Sequence, residues 1–306
     1  MSAGGSKKAI IAAFLANLGI AVGKFVGFLI TGASSMLAES IHSLADTGNQ
    51  ALLLLGGRRS RRDADDEHQF GYGRERFFYA FVVALVLFTL GSVFAIYEGI
   101  HKLEHPEPVE SPIVAVVILF VAIVLEGFSL RTAMKEADVV RGDDNWVDFI
   151  RHSKTPELPV VLLEDTGAMI GLAVAFVALL LAWHVDPVWD GVGTLIIGLL
   201  LGVIAVVLAV EMKSLLIGEA ANPAEQTAMR EAITSRPDVR SIVHLRTEHI
   251  GPEEILVAAK IAYDPELSVT DLAAAIDATE IAIRSAVPST RLIYIEPGLV
   301  NPPSGG

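Results

Sequence analysis

Six stretches of the chain are long and apolar enough, or flanked in the right way, to read as membrane-crossing helices. A bilayer core of about 30 Å takes roughly 20 mostly apolar residues per helix. On that measure the spans fall at about residues 9–30, 34–55, 77–100, 113–131, 159–183 and 188–212. Pro156, Pro159 and Pro187 stand where helix starts are expected. The second stretch differs from the rest. Its MLAESIHSLADTGNQ carries Glu39, His42, Asp46 and Asn49 at steps of three, four and three. At 3.6 residues per turn those positions form one stripe. A carboxylate near the bilayer centre costs about 2.5–3.5 kcal/mol on insertion scales, so such a stripe needs something to face.

From about Glu219 the pattern changes to that of a small water-soluble module. Residues 224–234 read as a helix after the Asn222-Pro223 start signal. Residues 241–249 and 255–263 read as strands parted by Gly251-Pro252, and 291–296 as a last strand. Between them 269–287 is helical, with Leu272, Ile276, Ile283 and Val287 on one face. The order αββαβ is a two-layer α+β module. The expected organisation is therefore an all-α six-helix transmembrane domain over 1–213, an α+β domain over 214–300, and a tail over 301–306. Disorder is expected from Pro297 onward. Gly167 with Gly171 and Gly198 with Gly202 read as close-packing positions between helices.

Charge decides whether the polar second stretch crosses. Arg58, Arg59, Arg61, Arg62, Arg74 and Arg76 follow it, and Arg131, Lys135, Arg141, Arg151 and Lys154 lie between the fourth and fifth spans. The connections on the other side hold one basic residue, Lys102. The positive-inside rule then gives six spans with both termini cytoplasmic, and only if the second stretch crosses. Composition agrees: 52% of residues are hydrophobic, 19% are charged, and mean hydropathy is +0.53. The apolar run after Lys7 and Lys8 is too long for a cleaved signal segment. A net charge of −13 argues against nucleic acid. The absence of cysteine leaves imidazole and carboxylate as metal ligands.

His42 and Asp46, one turn apart at membrane depth, read as a divalent-metal site. The alternative is a polar helix–helix contact with Asp46 paired to a lysine such as Lys24. Two ligands on one helix do not close a tetrahedral shell. Glu164-Asp165, in VVLLEDTGAMIG of the fifth span, is the other adjacent acid pair inside a span. Asp165 reads as the ligand and Glu164 as its neighbour or a proton carrier, with a pairing role for Glu164 as the alternative. Asn17 is a further oxygen donor or a helix-to-helix contact, and Glu126 reads as interfacial. With no HExxH pair and no cysteine, an intramembrane hydrolase is disfavoured.

TGASSMLAESIHSLADTGNQ, the following HQFGYGRER, the LLED of the fifth span and the αββαβ tail resemble the cation diffusion facilitator family, the solute-carrier-30 type zinc transporters. WVDFIRHSKTPELPVVLLEDTGA is similar to its zinc-transporter-nine-like branch. The resemblance implies six transmembrane helices with a cytosolic ferredoxin-like domain, a homodimer, and exchange of a divalent metal for protons by alternating access. It implies a transport site at His42, Asp46 and Asp165, with Val161 where zinc-transporting members often carry His. It also implies a loop site, matched by Asp65 and His68 with Tyr72 at the third position, and a cytosolic-domain site near His244 and Glu296. One imidazole with carboxylates suits Zn²⁺, and Mn²⁺, Fe²⁺ and Co²⁺ stay open. The expectation is proton-coupled Zn²⁺ efflux by a multi-pass protein of a cell inner membrane. A non-transporting, metal-responsive scaffold is the competing class.

Overall fold

The computed structural model describes residues 18–109, 111–142 and 145–298. Asn17 and the tail beyond Gly298 lie outside the described residues. The chain forms two compact units: residues up to Arg58 with Phe78–Lys213, and Arg59–Phe77 with the residues from Ser214 on.

The first unit is helical. Its elements are α1 (Leu18–Thr31), α2 (Ser34–Arg59), α3 (Glu75–Glu104), α4 (Pro112–Arg141), the short α5 (Trp146–His152), α6 (Glu157–His184) and α7 (Val188–Ile217). Helices α3, α4, α6 and α7 are long and apolar enough to cross a membrane, which makes this a multi-pass membrane protein. α2 misses that measure because its polar stripe lowers its hydropathy. It is nonetheless one continuous helix of 26 residues. α4 runs on to Arg141, ten residues past the end expected at Arg131. Glu126 therefore sits at the middle of its helix, and it is buried. Expected as interfacial, it is an interior group, because the polar run Arg131–Lys135–Glu136 continues the helix instead of ending it. α5 was not anticipated. Asn145 caps it by accepting from the Asp148 N–H at 2.9 Å, and Phe149 seats it on Ala133 and Ala137 of α4.

The glycine pairs mark tight helix crossings. A methyl group at Gly198 would meet the Ile96 backbone nitrogen of α3 at 2.8 Å, and one at Gly202 would meet Ser92 Oγ at 2.8 Å. Ser92, at the end of a π-helical turn spanning Leu87–Val93, donates to the Gly198 carbonyl at 2.8 Å. The α3–α7 contact thus rests on backbone approach, which only the smallest side chain permits. Gly198→Ala is expected to lower stability by about 1–3 kcal/mol, the range for overpacking a close contact. Gly48→Ala, where a methyl meets nothing within 4 Å, should not lower it. Thermal unfolding of the two variants in detergent makes the comparison.

The second unit has α8 (Pro223–Thr234), β1 (Val239–Gly251), β2 (Glu254–Tyr263), α9 (Val269–Ala286) and β3 (Thr290–Gly298). The sheet order is β1-β2-β3, with β1–β2 antiparallel and β2–β3 parallel. Ile255, Val257, Ala259 and Ile261 alternate inward along β2 and meet Met229, Ile233, Ala275 and Ile283 from the helices. Pro297 and Gly298, expected to be disordered, extend β3 beside Ile261 and Ala262. Proline is tolerated there because β3 is an edge strand. The segment Arg59–Phe77 packs with this unit: Arg74 pairs with Glu248, and Gly73 lies against the Ile250 carbonyl.

Candidate functional site

α2 turns its polar stripe inward. Glu39, His42 and Asn49 are no more than 1% exposed, and Asp46 is 9% exposed. Three neighbouring helices meet it. From α1, Lys24 places its ammonium 3.2 Å from Glu39 Oε2 and donates to Ser43 Oγ at 2.7 Å, while Ser40 donates to the Ala21 carbonyl at 3.0 Å. From α6, Glu164 Oε1 accepts from Asn49 Nδ2 at 2.5 Å, and Gly171 leaves the room that Glu39 Oε1 occupies. From α7, Asp190 accepts from Ser35 Oγ at 2.5 Å and caps the start of α2. α4 reaches α6 through Ser129, which donates to Asp165 Oδ2 at 3.0 Å.

Within the stripe, His42 Nδ1 and Asp46 Oδ1 stand 3.6 Å apart, beyond hydrogen-bonding distance. Glu39 Oε1, both His42 ring nitrogens, Asp46 Oδ1 and Asn49 Oδ1 are buried without a hydrogen-bond partner in the protein. Buried polar atoms are normally paired, and each one left unpaired costs about 1–3 kcal/mol. Five on one helix face mark a surface built to hold something polar. The charges of Glu164, Glu126, Lys24 and Asp165 all act on Asp46. Among the described residues, five carboxyls (Glu39, Asp46, Glu126, Glu164 and Asp165) thus share this interior with the Lys24 ammonium.

The structure divides the sequence-derived residues. His42 and Asp46 face each other. Of the adjacent acids, Glu164 makes the direct bond to the stripe, and Asp165 turns to α4. Among the described residues no three metal-ligating side chains are gathered closely enough to hold an ion together. Val161 packs in an apolar cluster with Leu158, Leu162, Ala133 and Phe149. Lys24 pairs with Glu39, about two turns from Asp46, to which the sequence offered it. Ser129 and the mid-helix position of Glu126 were not found from sequence. A lone serine in an apolar helix carries no signal, and Glu126 was misplaced by the helix end.

In the loop of the second unit, Asp65 accepts from the Tyr72 hydroxyl at 2.6 Å and from the His68 N–H at 2.7 Å. The His68 ring stacks on Tyr72 at 4.4 Å, and the Arg62 guanidinium covers the same ring at 4.2 Å. The Tyr72 hydroxyl bond, first, and the backbone N–H bonds hold the Asp65 carboxyl below its ordinary value of 3.8. A lowered carboxyl favours the folded loop above the ordinary carboxylate range, and that contribution fades as pH falls through Asp65's own, lower midpoint. Tyr72→Phe should move the midpoint back up toward 3.8, so the loop loosens at a higher pH. A carboxyl NMR titration of Asp65 reads the shift, and an unmoved midpoint would refute this account.

His244 and Glu296 fall in one cross-strand row, with Lys260 between them in the register. The Lys260 ammonium lies 2.6 Å from Glu296 Oε1 and, by that bond first, lowers the Glu296 carboxyl. Glu296 therefore already has a cation, tethered to the neighbouring strand.

Residues 10–217 match the cation efflux transmembrane domain, and residues 221–298 match the cation efflux protein cytoplasmic domain. The chain is 32% identical over 244 residues to the mitochondrial proton-coupled zinc antiporter SLC30A9 of Mus musculus, covering 79% of this chain and 43% of that protein. This chain therefore spans less than half the length of that relative. It is 27% identical over 289 residues to the cation-efflux pump FieF of Cronobacter sakazakii, covering 94% of this chain and 91% of that one. A solved MamM C-terminal-domain structure is 27% identical, covering 26% of this chain and 93% of that one, with a TM-score of 0.24.

Proposed function

This chain belongs to the cation efflux family, the cation diffusion facilitators, and from that premise we propose that it exports a divalent metal, Zn²⁺, in exchange for protons by alternating access. The observation that carries the reading is the row of unpartnered polar atoms on Glu39, His42, Asp46 and Asn49 inside the helical unit. Several carboxyls in a low-dielectric interior beside the Lys24 ammonium need further positive charge. Protons and a metal ion can each supply it. A metal needs deprotonated ligands, so it binds as protons leave. That competition is the coupling. His42 and Asp46 hold the cation from α2, and Asp165 approaches from α6 when the two helices close. Glu164, held by Asn49, takes or passes a proton.

The wider reading has six spans, α1 and α2 among them, with both termini cytoplasmic in a cell inner membrane. The positive-inside asymmetry of the arginine-rich segments supports it. We take 1–213 as the transport domain and 214–300 as a cytosolic, ferredoxin-like domain that forms a homodimer, with 301–306 as its tail. The order of helices and strands in the second unit supports that assignment. Asp65 with His68, and His244 with Glu296, are secondary cation positions at most, since Tyr72 and Lys260 already engage their carboxylates. The name borne by the antiporter relative supports zinc and protons as the exchanged pair.

Purified protein in vesicles carrying a trapped metal dye and a trapped pH dye tests the reading. Zn²⁺ entry should run with opposite proton movement and exceed Mn²⁺, Fe²⁺ and Co²⁺ entry. An order led by Mn²⁺, Fe²⁺ or Co²⁺ would replace the substrate. Metal binding without flux would replace transport with a scaffold role.

A further inference from the structure

We propose that His101 and His105, at the C-terminal end of α3, form a two-imidazole chelating site for a borderline divalent cation of the Zn²⁺ or Cu²⁺ type, separate from the α2 stripe. His101 lies in the last turn of α3, and His105, four residues on, caps its end with non-helical backbone (φ −132°, ψ 71°). The His105 N–H still donates to the His101 carbonyl at 2.9 Å, so the helical turn between them is intact. Their rings lie 5.1 Å apart, centre to centre, with 32° between planes. Small rotations about the side-chain bonds bring one nitrogen of each ring to a shared ion, at the metal–nitrogen distance of about 2.0–2.1 Å that zinc takes. This is the same helical spacing that lets two histidines hold zinc from one helix face.

The surroundings favour a cation there. Lys102, next to His101, is buried, and its ammonium is held by the Gly32 carbonyl at 3.3 Å and Glu107 Oε2 at 3.5 Å. The anchoring of Lys102 leaves His101 and His105 on the exposed side of the helix. The pair straddles the C-terminus of α3, where the unpaired carbonyls carry partial negative charge. Glu107 is engaged by Lys102 at 3.5 Å, so water completes the four-coordinate shell. Two imidazoles on a solvated surface make a site of modest affinity that loads and empties readily.

Position suggests its use. α3 begins at Glu75, and at about 1.5 Å per residue its 30 residues carry His101 roughly 40 Å away. The pair therefore lies at the end of the helical unit where Lys102 meets the α1–α2 turn, and Arg58 lies at the other end of α2. A chelate there receives a cation released from the α2 stripe. That use rests on the transport reading, whereas the binding does not.

The test uses the full chain in detergent. Zn²⁺ binding is counted by equilibrium dialysis, and Cu²⁺ coordination is read by electron paramagnetic resonance. His101→Gln and His105→Gln should each lower bound Zn²⁺ by one ion per chain, and each should abolish a Cu²⁺ signal from two coordinated imidazole nitrogens. Asp46→Asn should keep that Cu²⁺ signal while losing vesicle flux. Unchanged Zn²⁺ counts and Cu²⁺ spectra in both histidine variants would overturn the site. Full flux in Asp46→Asn would overturn the transport assignment and leave this site standing, so the two failures are distinct.

Discussion

Asp46→Ala lowers metal flux in proteoliposomes by about 100-fold or more, the loss expected when a metal site forfeits a group at least as close as its supporting shell. Asp46 carries a buried, unpartnered Oδ1 on the same helix as the His42 imidazole, 3.6 Å from it. His42→Ala should act in the same direction, since removing the imidazole leaves oxygen donors alone and should also weaken preference for Zn²⁺ over Mn²⁺. The α6 acids provide the internal comparison. If Asp165 is the ligand and Glu164 the proton carrier, Asp165→Asn depresses metal binding and flux together. Glu164→Gln then spares binding and uncouples protons. The reverse pattern would exchange the two roles, which the direct Asn49–Glu164 bond makes a sharp alternative. Flux undiminished in Asp46→Ala and His42→Ala alike ends the assignment.

Lys24→Met costs about 3–5 kcal/mol of stability, the range for removing one partner of a buried ion pair. Lys24 and Glu39 are both at most 1% exposed, and water does not reach the charge left behind. Lys24 also donates to Ser43, so its loss opens a second polar atom on α2. Adding Glu39→Gln to Lys24→Met should recover much of the loss, because the amide needs no counter-charge. Thermal unfolding of the two single variants and the double variant completes the cycle. Equal stability of the single Lys24 variant and the wild type would show that the pair does not hold α1 to α2.

Much of the site was readable before the fold. The steps of three, four and three from Glu39 to Asn49 belong to one helix, and helical geometry alone puts them on one face. The arginines after α2 support the proposal that it crosses, while its hydropathy falls short of that measure. Residues 255–263 read as a strand, and β2 covers Glu254–Tyr263, while the inward set Ile255, Val257, Ala259 and Ile261 came from the structure. Helix ends were less legible. α4 outran its expected end by ten residues because lysine, glutamate and alanine after Arg131 are good helix formers, and that moved Glu126 from a rim to an interior.

Partner choice was not legible at all. Periodicity tells which side of α2 is polar but carries no information about which residue of another helix faces a given turn. Lys24 lies fifteen residues from Glu39 in sequence, and Asn49 lies 115 from Glu164. Which of two adjacent acids turns to α2 depends on the rotation of α6, and that rotation is set by packing at positions such as Gly167 and Gly171. The sequence by itself thus determined the membrane class, the polar face and the residue types able to bind a cation. Only the tertiary structure decided the pairs, since a contact between helices is a property of two surfaces and their approach, and each surface alone is compatible with several.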